Sequence, residues 1–158
     1  MASNPNTTMN LKLEVVIIPV SDVDRAKAFY EKLGWRADGD FVVDENLRVL
    51  QFTPPQSNAS IIFGKGVSKG RPGSITGLVL GVDDIEAARA ELTSRGANVS
   101  EVFHYAAFPF NVSVENNRIS GRDPESRTYF TFAAFQDPDG NEWLLQEITE
   151  RLPGREWK

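Results

Sequence analysis

The chain has 158 residues, 41% of them hydrophobic and 25% charged, and its formal net charge is −5. That length allows one compact domain or two half-size modules with a common core. The acidic balance argues against a nucleic-acid partner, which needs a basic face, and the lack of cysteine excludes disulfides, thiolate nucleophiles and Cys-based zinc sites.

The N-terminal segment and the hydropathy of the chain bear on its location. Residues 1–10 are polar and contain no apolar stretch of the kind a signal peptide needs, so they predict a disordered tail. No apolar run approaches the roughly 18 residues of a membrane span. We therefore expect a cytoplasmic protein that uses neither a membrane nor a nucleic acid as partner.

The segments that begin at Val20 and Val82 repeat each other at an offset of 62 residues. The identical pairs are Val20/Val82, Asp22/Asp84, Ala26/Ala88, Ala28/Ala90, Gly34/Gly96 and Phe41/Phe103. Each copy predicts an apolar strand followed by an amphipathic helix. Ser21 and Asp83 are the predicted N-caps of the two helices.

A second pair of segments matches at an offset of 83, Phe52–Asn58 against Phe135–Asn141. Each predicts a strand, a turn that contains proline, and another strand. The larger offset places an insertion of about 21 residues in the second copy. The sequence thus predicts one compact domain with a first module at 11–67, a second at 75–150, and an insertion at about 104–127.

These motifs resemble the vicinal oxygen chelate superfamily, which includes glyoxalase I, extradiol dioxygenases and bleomycin resistance proteins. The resemblance rests on the Val20–Tyr30 segment and on Phe135–Glu147 with its Asp-Pro-Asp-Gly-Asn turn. It implies an α+β fold in which two tandem βαβββ modules form a U-shaped cup sheet with helices outside. The segment from Trp143 to Arg155 resembles a glyoxalase-like subgroup whose members mostly lack an assigned reaction.

Metal-using members of that superfamily take His or Glu ligands from the first and last strands of each module. Carried over residue by residue, the four ligand positions fall on Val15, Ile61, Gly77 and Leu144, none of which can bind a metal. The resemblance therefore implies a cup without a metal or another cofactor. The alternative is a non-standard metal site that uses His104 with nearby carboxylates.

The lining of the cup follows from the alternation of side chains along a strand. The predicted ligand-binding residues are Leu13, Val15, Ile17, Ile61, Phe63, Gly77, Val79, Leu144 and Gln146, together with Arg118 of the insertion. A lining of this kind is typical of a site for a small apolar or aromatic molecule. The alternative is that these side chains pack against each other and fill the cup.

The insertion combines aromatic, charged and turn residues without periodicity, which predicts a lid over the cup or a contact in a homodimer. The candidate catalytic residues lie there. His104 is the candidate general acid or base, and Tyr105 and Asp123 are candidates to orient a carbonyl or carboxylate. The alternative for His104 is a hydrogen-bonded structural residue.

Two functional hypotheses follow. In the first, a metal-independent binding protein sequesters a small hydrophobic or aromatic metabolite, as bleomycin resistance proteins do with their ligand. In the second, a metal-independent isomerase, lyase or cyclase acts on a hydrophobic carbonyl compound with His104 or a lid carboxylate as general base. A metal-dependent glyoxalase or dioxygenase conflicts with all four ligand positions.

Overall fold

The structure is a computed structural model that describes residues 8–155. Its elements in chain order are β1 (Val15–Ile17), α1 (Val23–Lys32), β2 (Arg36–Asp44), β3 (Leu47–Thr53), β4 (Ser60–Lys65), β5 (Leu78–Val82), α2 (Ile85–Ser94), β6 (Phe103–Tyr105), β7 (Arg118–Ser120), β8 (Thr131–Gln136) and β9 (Glu142–Glu147). A 3-10 turn follows at Pro153–Arg155. Most of the predicted tail, residues 1–10, lies outside the described residues.

The strands form two sheets, with the orders β1-β4-β3-β2 and β5-β9-β8-β6-β7. In each sheet the first strand pairs in parallel with the last strand of its module, and the other pairs are antiparallel. The predicted α+β fold of two tandem βαβββ modules is confirmed. Strand β7 is an addition, supplied by the insertion, at the outer edge of the second sheet.

Both helices begin one residue later than the sequence predicted. The side chain of Asp22 accepts a hydrogen bond from the backbone N–H of Arg25 at 3.0 Å, and Asp84 accepts one from Ala87 at 3.0 Å. The aspartates therefore cap the helices, and the prediction of Ser21 and Asp83 as N-caps is wrong. Ser21 Oγ instead donates to Asp139 of the second module, at 2.5 Å.

One hydrophobic core lies between the helix-covered faces of the two sheets. It contains Tyr30 and Phe63 from the first module and Phe135 and Trp143 from the second. The rings of Trp35 and Trp143 meet edge to face at 4.9 Å between centroids. Because both helix-covered faces meet in this core, the opposite faces point away from each other. We call them the first open face and the second open face.

A buried polar junction joins the two modules beside that core. The Asp137 carboxylate accepts hydrogen bonds from the three backbone N–H groups of residues 139–141. Tyr30 donates its hydroxyl proton to Asp137 at 3.2 Å and accepts a hydrogen bond from the Trp143 indole at 3.1 Å. Burial, followed by the Asp137 charge, raises the pKa of Tyr30. The Tyr30 hydroxyl therefore stays protonated as a donor.

Neither of the two α-helices in residues 8–155 has the length and apolar character needed to cross a bilayer.

Candidate functional site

The first open face is formed by the side chains that point away from α1. In β1 these belong to Val15 and Ile17, which pair in register with Ser60 and Ile62 of β4. Leu13 lies just before β1 and is 68% exposed, and Ile17 is 46% exposed. Exposed apolar side chains that lie together on a surface often mark a contact with a ligand or another chain.

The register of β4 corrects two predicted ligand-binding residues. Ile61 and Phe63 pair with Phe52 and Leu50 and belong to the core on the helix side, so their predicted inward orientation is wrong. The connection between β3 and β4 has one residue more than the connection between β8 and β9. A shift of one residue turns a strand's side chains to the other face. The position equivalent to Leu144 is therefore Ile62.

A row of polar side chains crosses the first open face, and the sequence analysis missed it. Arg36 Nε donates to Asp38 Oδ1 at 2.5 Å, and the Thr53 hydroxyl donates to Asp38 Oδ2. Thr53 Oγ1 also lies 2.6 Å from Ser60 Oγ. Hydrogen bonds from Arg36 and then from Thr53 lower the pKa of Asp38. Asp38 reaches this row because the β2–β3 register shifts between Ala37 and Gly39, which forms a β-bulge. No pattern in the sequence predicted this bulge.

The second open face is aromatic. Val79 pairs with Leu144, and Gly81 with Gln146, so these four positions share a face as the alternation predicted. Gly77 directly precedes β5, with φ of +84° and open space beside it. Leu144 belongs to a buried cluster whose other members are Phe103, Tyr105, Phe132 and Ala134.

The insertion covers part of that aromatic cluster. The Phe110 ring packs edge to face on Phe132 at 5.2 Å, and Phe108 packs on Phe130 at 5.4 Å. Both insertion rings remain exposed on their outer sides. Ala107 and Phe110 adopt positive φ values of 69° and 64°, which cost non-glycine residues free energy. The insertion thus contacts the second open face at defined aromatic positions.

Arg118 lies at one end of the second open face and is engaged by two neighbours. Its guanidinium carbon lies 4.7 Å from the centre of the Phe103 ring. Its Nη2 lies 2.9 Å from Glu142 Oε1 on β9. Arg118 is therefore at the predicted surface, but its charge is already paired with that of Glu142.

The structure separates Tyr105 from His104, two of the three predicted catalytic residues. His104 alternates with Phe103 and Tyr105 along β6, so its ring lies on the side of the sheet opposite to Tyr105. The His104 Nδ1 lies 2.9 Å from the Gly121 carbonyl oxygen. Asp123 is buried and ion-paired with Arg127 at 2.8 Å, and this hydrogen bond lowers the pKa of Asp123 to about 2. Tyr105 therefore does not share a site with His104, whereas Asp123 lies close enough to His104 to interact with it electrostatically.

An open groove of about 1100 Å³ runs along the free edge of β5. Val79, Gln146 and Phe110 line it on the side of the second open face, and the turn at residues 54–58 and helix α2 line its other side. Tyr129 also lines it and has φ of +73°. Its carbonyl oxygen accepts from Gln146 Nε2 at 2.9 Å. The sequence carried no signal for Tyr129, because glycine is the residue that marks a positive φ.

The four family ligand positions do not fit a metal. With the corrected register they are Val15, Ile62, Gly77 and Leu144, and these side chains offer no nitrogen or oxygen donor. Within residues 8–155, no three His, Asp or Glu side chains lie close enough together to hold a metal ion.

The chain is similar to solved structures that include the following three. One is TnmS3, an antibiotic binding protein from Streptomyces sp. CB03234, with 27% identity, a TM-score of 0.63 and coverage of 90% of this chain and 98% of that one. Another is a glyoxalase/bleomycin resistance protein from the same strain, with 28% identity, a TM-score of 0.60 and coverage of 86% and 100%. A superfamily member from Sphaerobacter thermophilus DSM 20745 has 26% identity, a TM-score of 0.64 and coverage of 87% and 98%.

No curated protein matches the chain significantly. The family described as the Glyoxalase/Bleomycin resistance protein/Dioxygenase superfamily matches residues 12–145. That match spans most of both modules, from before β1 into β9. The chain therefore belongs to the glyoxalase/bleomycin resistance protein/dioxygenase superfamily.

Proposed function

We propose that the chain binds a small hydrophobic or aromatic molecule on its open faces and sequesters it. The observation that carries the proposal is the aromatic second open face with Phe110 of the insertion packed on it. Aromatic surfaces of this kind bind flat apolar molecules by burial and ring contact. The chain is similar to TnmS3, an antibiotic binding protein, and this similarity supports a small molecule as the ligand.

We propose further that this binding needs no metal. The four ligand positions hold aliphatic side chains or no side chain, so a divalent ion would find only water and backbone there. Glu142, a carboxylate on the second open face, is paired with Arg118. A ligand would be held by shape, ring contacts and a few hydrogen bonds.

Binding is favoured over catalysis because the candidate acid–base groups do not converge on one of the open faces. A general base must lie within hydrogen-bond reach of the proton that it removes. His104 lies on the opposite side of the sheet from Tyr105, and Asp123 is held ionised by Arg127. The hypothesis of an isomerase, lyase or cyclase thus has no supporting geometry around these residues.

A titration with 2-naphthol, a flat aromatic probe, tests the binding proposal. We expect saturable binding of about one probe per chain by isothermal titration calorimetry, with the same affinity in the presence of EDTA. Binding that does not saturate would contradict the proposed function. An affinity that EDTA abolishes and added Zn²⁺ restores would contradict metal independence alone.

We also propose that two copies of the chain form a homodimer that brings open faces together. Three observations support a second copy as the partner. Leu13, Ile17 and Phe41 are exposed apolar residues on or beside the first open face. Among the strands of residues 8–155, β1 and β5 are edge strands that each pair with a single neighbour. The two open faces of one chain point apart, so they cannot enclose a ligand between them without another chain.

Sedimentation velocity tests the dimer. We expect the wild-type chain to sediment as a dimer of about 35 kDa, since one chain is 17.6 kDa. Ile17→Arg should shift it to the monomer, because burying an unpaired charge in an apolar contact is costly. Ile119→Arg is the control, since Ile119 is similarly exposed but lies on the other side of the second sheet. A wild-type chain that remains monomeric at high concentration would rule the dimer out.

A further inference from the structure

The polar row on the first open face is a chain of hydrogen bonds with a definite direction. Asp38 is its charged end, and it accepts from Arg36 at one oxygen and from Thr53 at the other. A threonine hydroxyl has a single proton, and Thr53 gives it to the Asp38 carboxylate. The contact of 2.6 Å between Thr53 and Ser60 must therefore be donated by Ser60.

This direction determines what Ser60 can still do. Its hydroxyl proton is committed to Thr53, so its oxygen has only acceptor capacity left. Within residues 8–155, no other side-chain hydrogen bond is made by Ser60 Oγ. Ser60 pairs with Val15 in register, so it lies on the first open face among apolar neighbours. Its residual exposure is 8%.

We propose that Ser60 is a specificity-determining acceptor that selects ligands carrying a hydrogen-bond donor, such as a phenolic hydroxyl or an N–H group, on an apolar frame. This inference rests on the proposed function, including the dimer that brings the first open face of one copy to the second open face of the other, and it specifies the class of ligand. A donor aimed at Ser60 completes the oxygen's hydrogen bonding. A ligand that presents a carbonyl or ether oxygen there places one acceptor against another, because neither that oxygen nor Ser60 Oγ has a proton to donate. The ligand oxygen also loses its hydrogen bonds to water without replacing them.

The negative charge of Asp38 fixes the direction of the hydrogen bonds in the row, and so fixes Ser60 as an acceptor. Reversing the row would require Thr53 to withdraw its proton from an ionised carboxylate, and a hydrogen bond to an ionised acceptor is stronger than a neutral one. Arg36 keeps Asp38 ionised by its own hydrogen bond. Asp38 does not contact the ligand; it is a positioning residue that acts through Thr53.

Two matched probes test the preference: 2-naphthol, which has a donor, and 2-methoxynaphthalene, which has none. The measured quantity is the ratio of their dissociation constants for each protein variant. Ser60→Ala removes the acceptor. The ratio of the two dissociation constants for this variant therefore reflects only the differences in size and hydrophobicity between the probes. We expect the wild-type preference for 2-naphthol to exceed that of Ser60→Ala by about 3- to 10-fold, the usual effect of one hydrogen bond. Ser94→Ala, at an exposed site on α2, should keep the wild-type ratio.

Asp38→Asn gives a second readout that a merely structural role would not produce. The amide oxygen should face Arg36 and the amide nitrogen Thr53, so the nitrogen donates to Thr53 and Thr53 donates to Ser60. The Ser60 proton is then free for the ligand, and the preference should fall to that of Ser60→Ala or below. Thr53→Val frees the same proton and serves if Asp38→Asn does not fold, as judged by circular dichroism.

The outcomes separate this inference from the function on which it rests. If the ratio of the two dissociation constants is the same for the wild type, Ser60→Ala and Asp38→Asn, the assignment of Ser60 is overturned. The proposed function is not affected by that result. If neither probe binds the wild-type chain, the proposed function fails and the assignment fails with it. A ratio that changes with Ser60→Ala but not with Asp38→Asn or Thr53→Val overturns the directed row.

Discussion

Asn141→Ala should lower the free energy of unfolding by about 3–5 kcal/mol, because it leaves several buried polar groups without partners. The Asn141 side chain is fully buried. Its amide nitrogen donates to the Pro19 carbonyl at 2.8 Å and to Asp137 at 2.8 Å, and its amide oxygen accepts from Ile75 N–H at 3.1 Å. One residue thus joins the turn of the second module to the start of both modules.

Urea denaturation followed by tryptophan fluorescence measures this effect, since Trp35 and Trp143 lie in the adjoining core. Asn98→Ala is the matched control at an exposed position and should change the free energy of unfolding by less than about 0.5 kcal/mol. If Asn141→Ala costs no more than the control, the junction does not hold the modules together.

Val79→Trp should weaken the binding of 2-naphthol by at least about 10-fold, a loss of about 1.4 kcal/mol. Val79 lies on the second open face beside Leu144, it lines the open groove, and it is 39% exposed. An indole at this position can occupy space that the ligand would use. Because the site is not closed, the cost of overpacking, about 1–3 kcal/mol in a filled core, should not arise.

Calorimetry measures the affinity, and thermal denaturation measures the stability of the same sample. Ile119→Trp is the control, since it adds the same side chain to an exposed strand position on the other side of the sheet. Unchanged binding by Val79→Trp would place the ligand elsewhere. A large fall in melting temperature would mean that the second open face is packed solid. Sedimentation of the variant shows whether lost binding follows from lost dimerisation.

The repeat itself predicted most of the fold. Matching helices and glycines at one offset predicted two modules, the second offset located the insertion, and the family resemblance implied the βαβββ order of each module. The alternation of residues predicted the shared face of Val79, Leu144 and Gln146, because β5 and β9 have no bulge. Local patterns of this kind are recorded in the sequence, since each depends on neighbours a few residues away.

The predictions that failed within the sheets depend on the lengths of connections and on which face a strand presents. One extra residue before β4 reversed the orientation of Ile61 and Phe63, although both are as apolar as a cup lining requires. His104 and Tyr105 are adjacent in sequence, and the pleat of β6 therefore separates them. Residue type alone predicts neither orientation, because an aromatic residue is equally suited to the hydrophobic core and to the lining of a cup.

The sequence alone predicts the family resemblance, the two modules, the insertion and the lack of metal-binding side chains at the family's ligand positions. Which side chains meet across the sheets depends on the tertiary structure. The row from Arg36 to Ser60 depends on a bulge and on the pairing of three strands, and the junction at Asn141 joins residues 122 positions apart. Hydrogen bonds between distant segments are selected by the geometry of the packed sheets, and no periodicity along the chain records them.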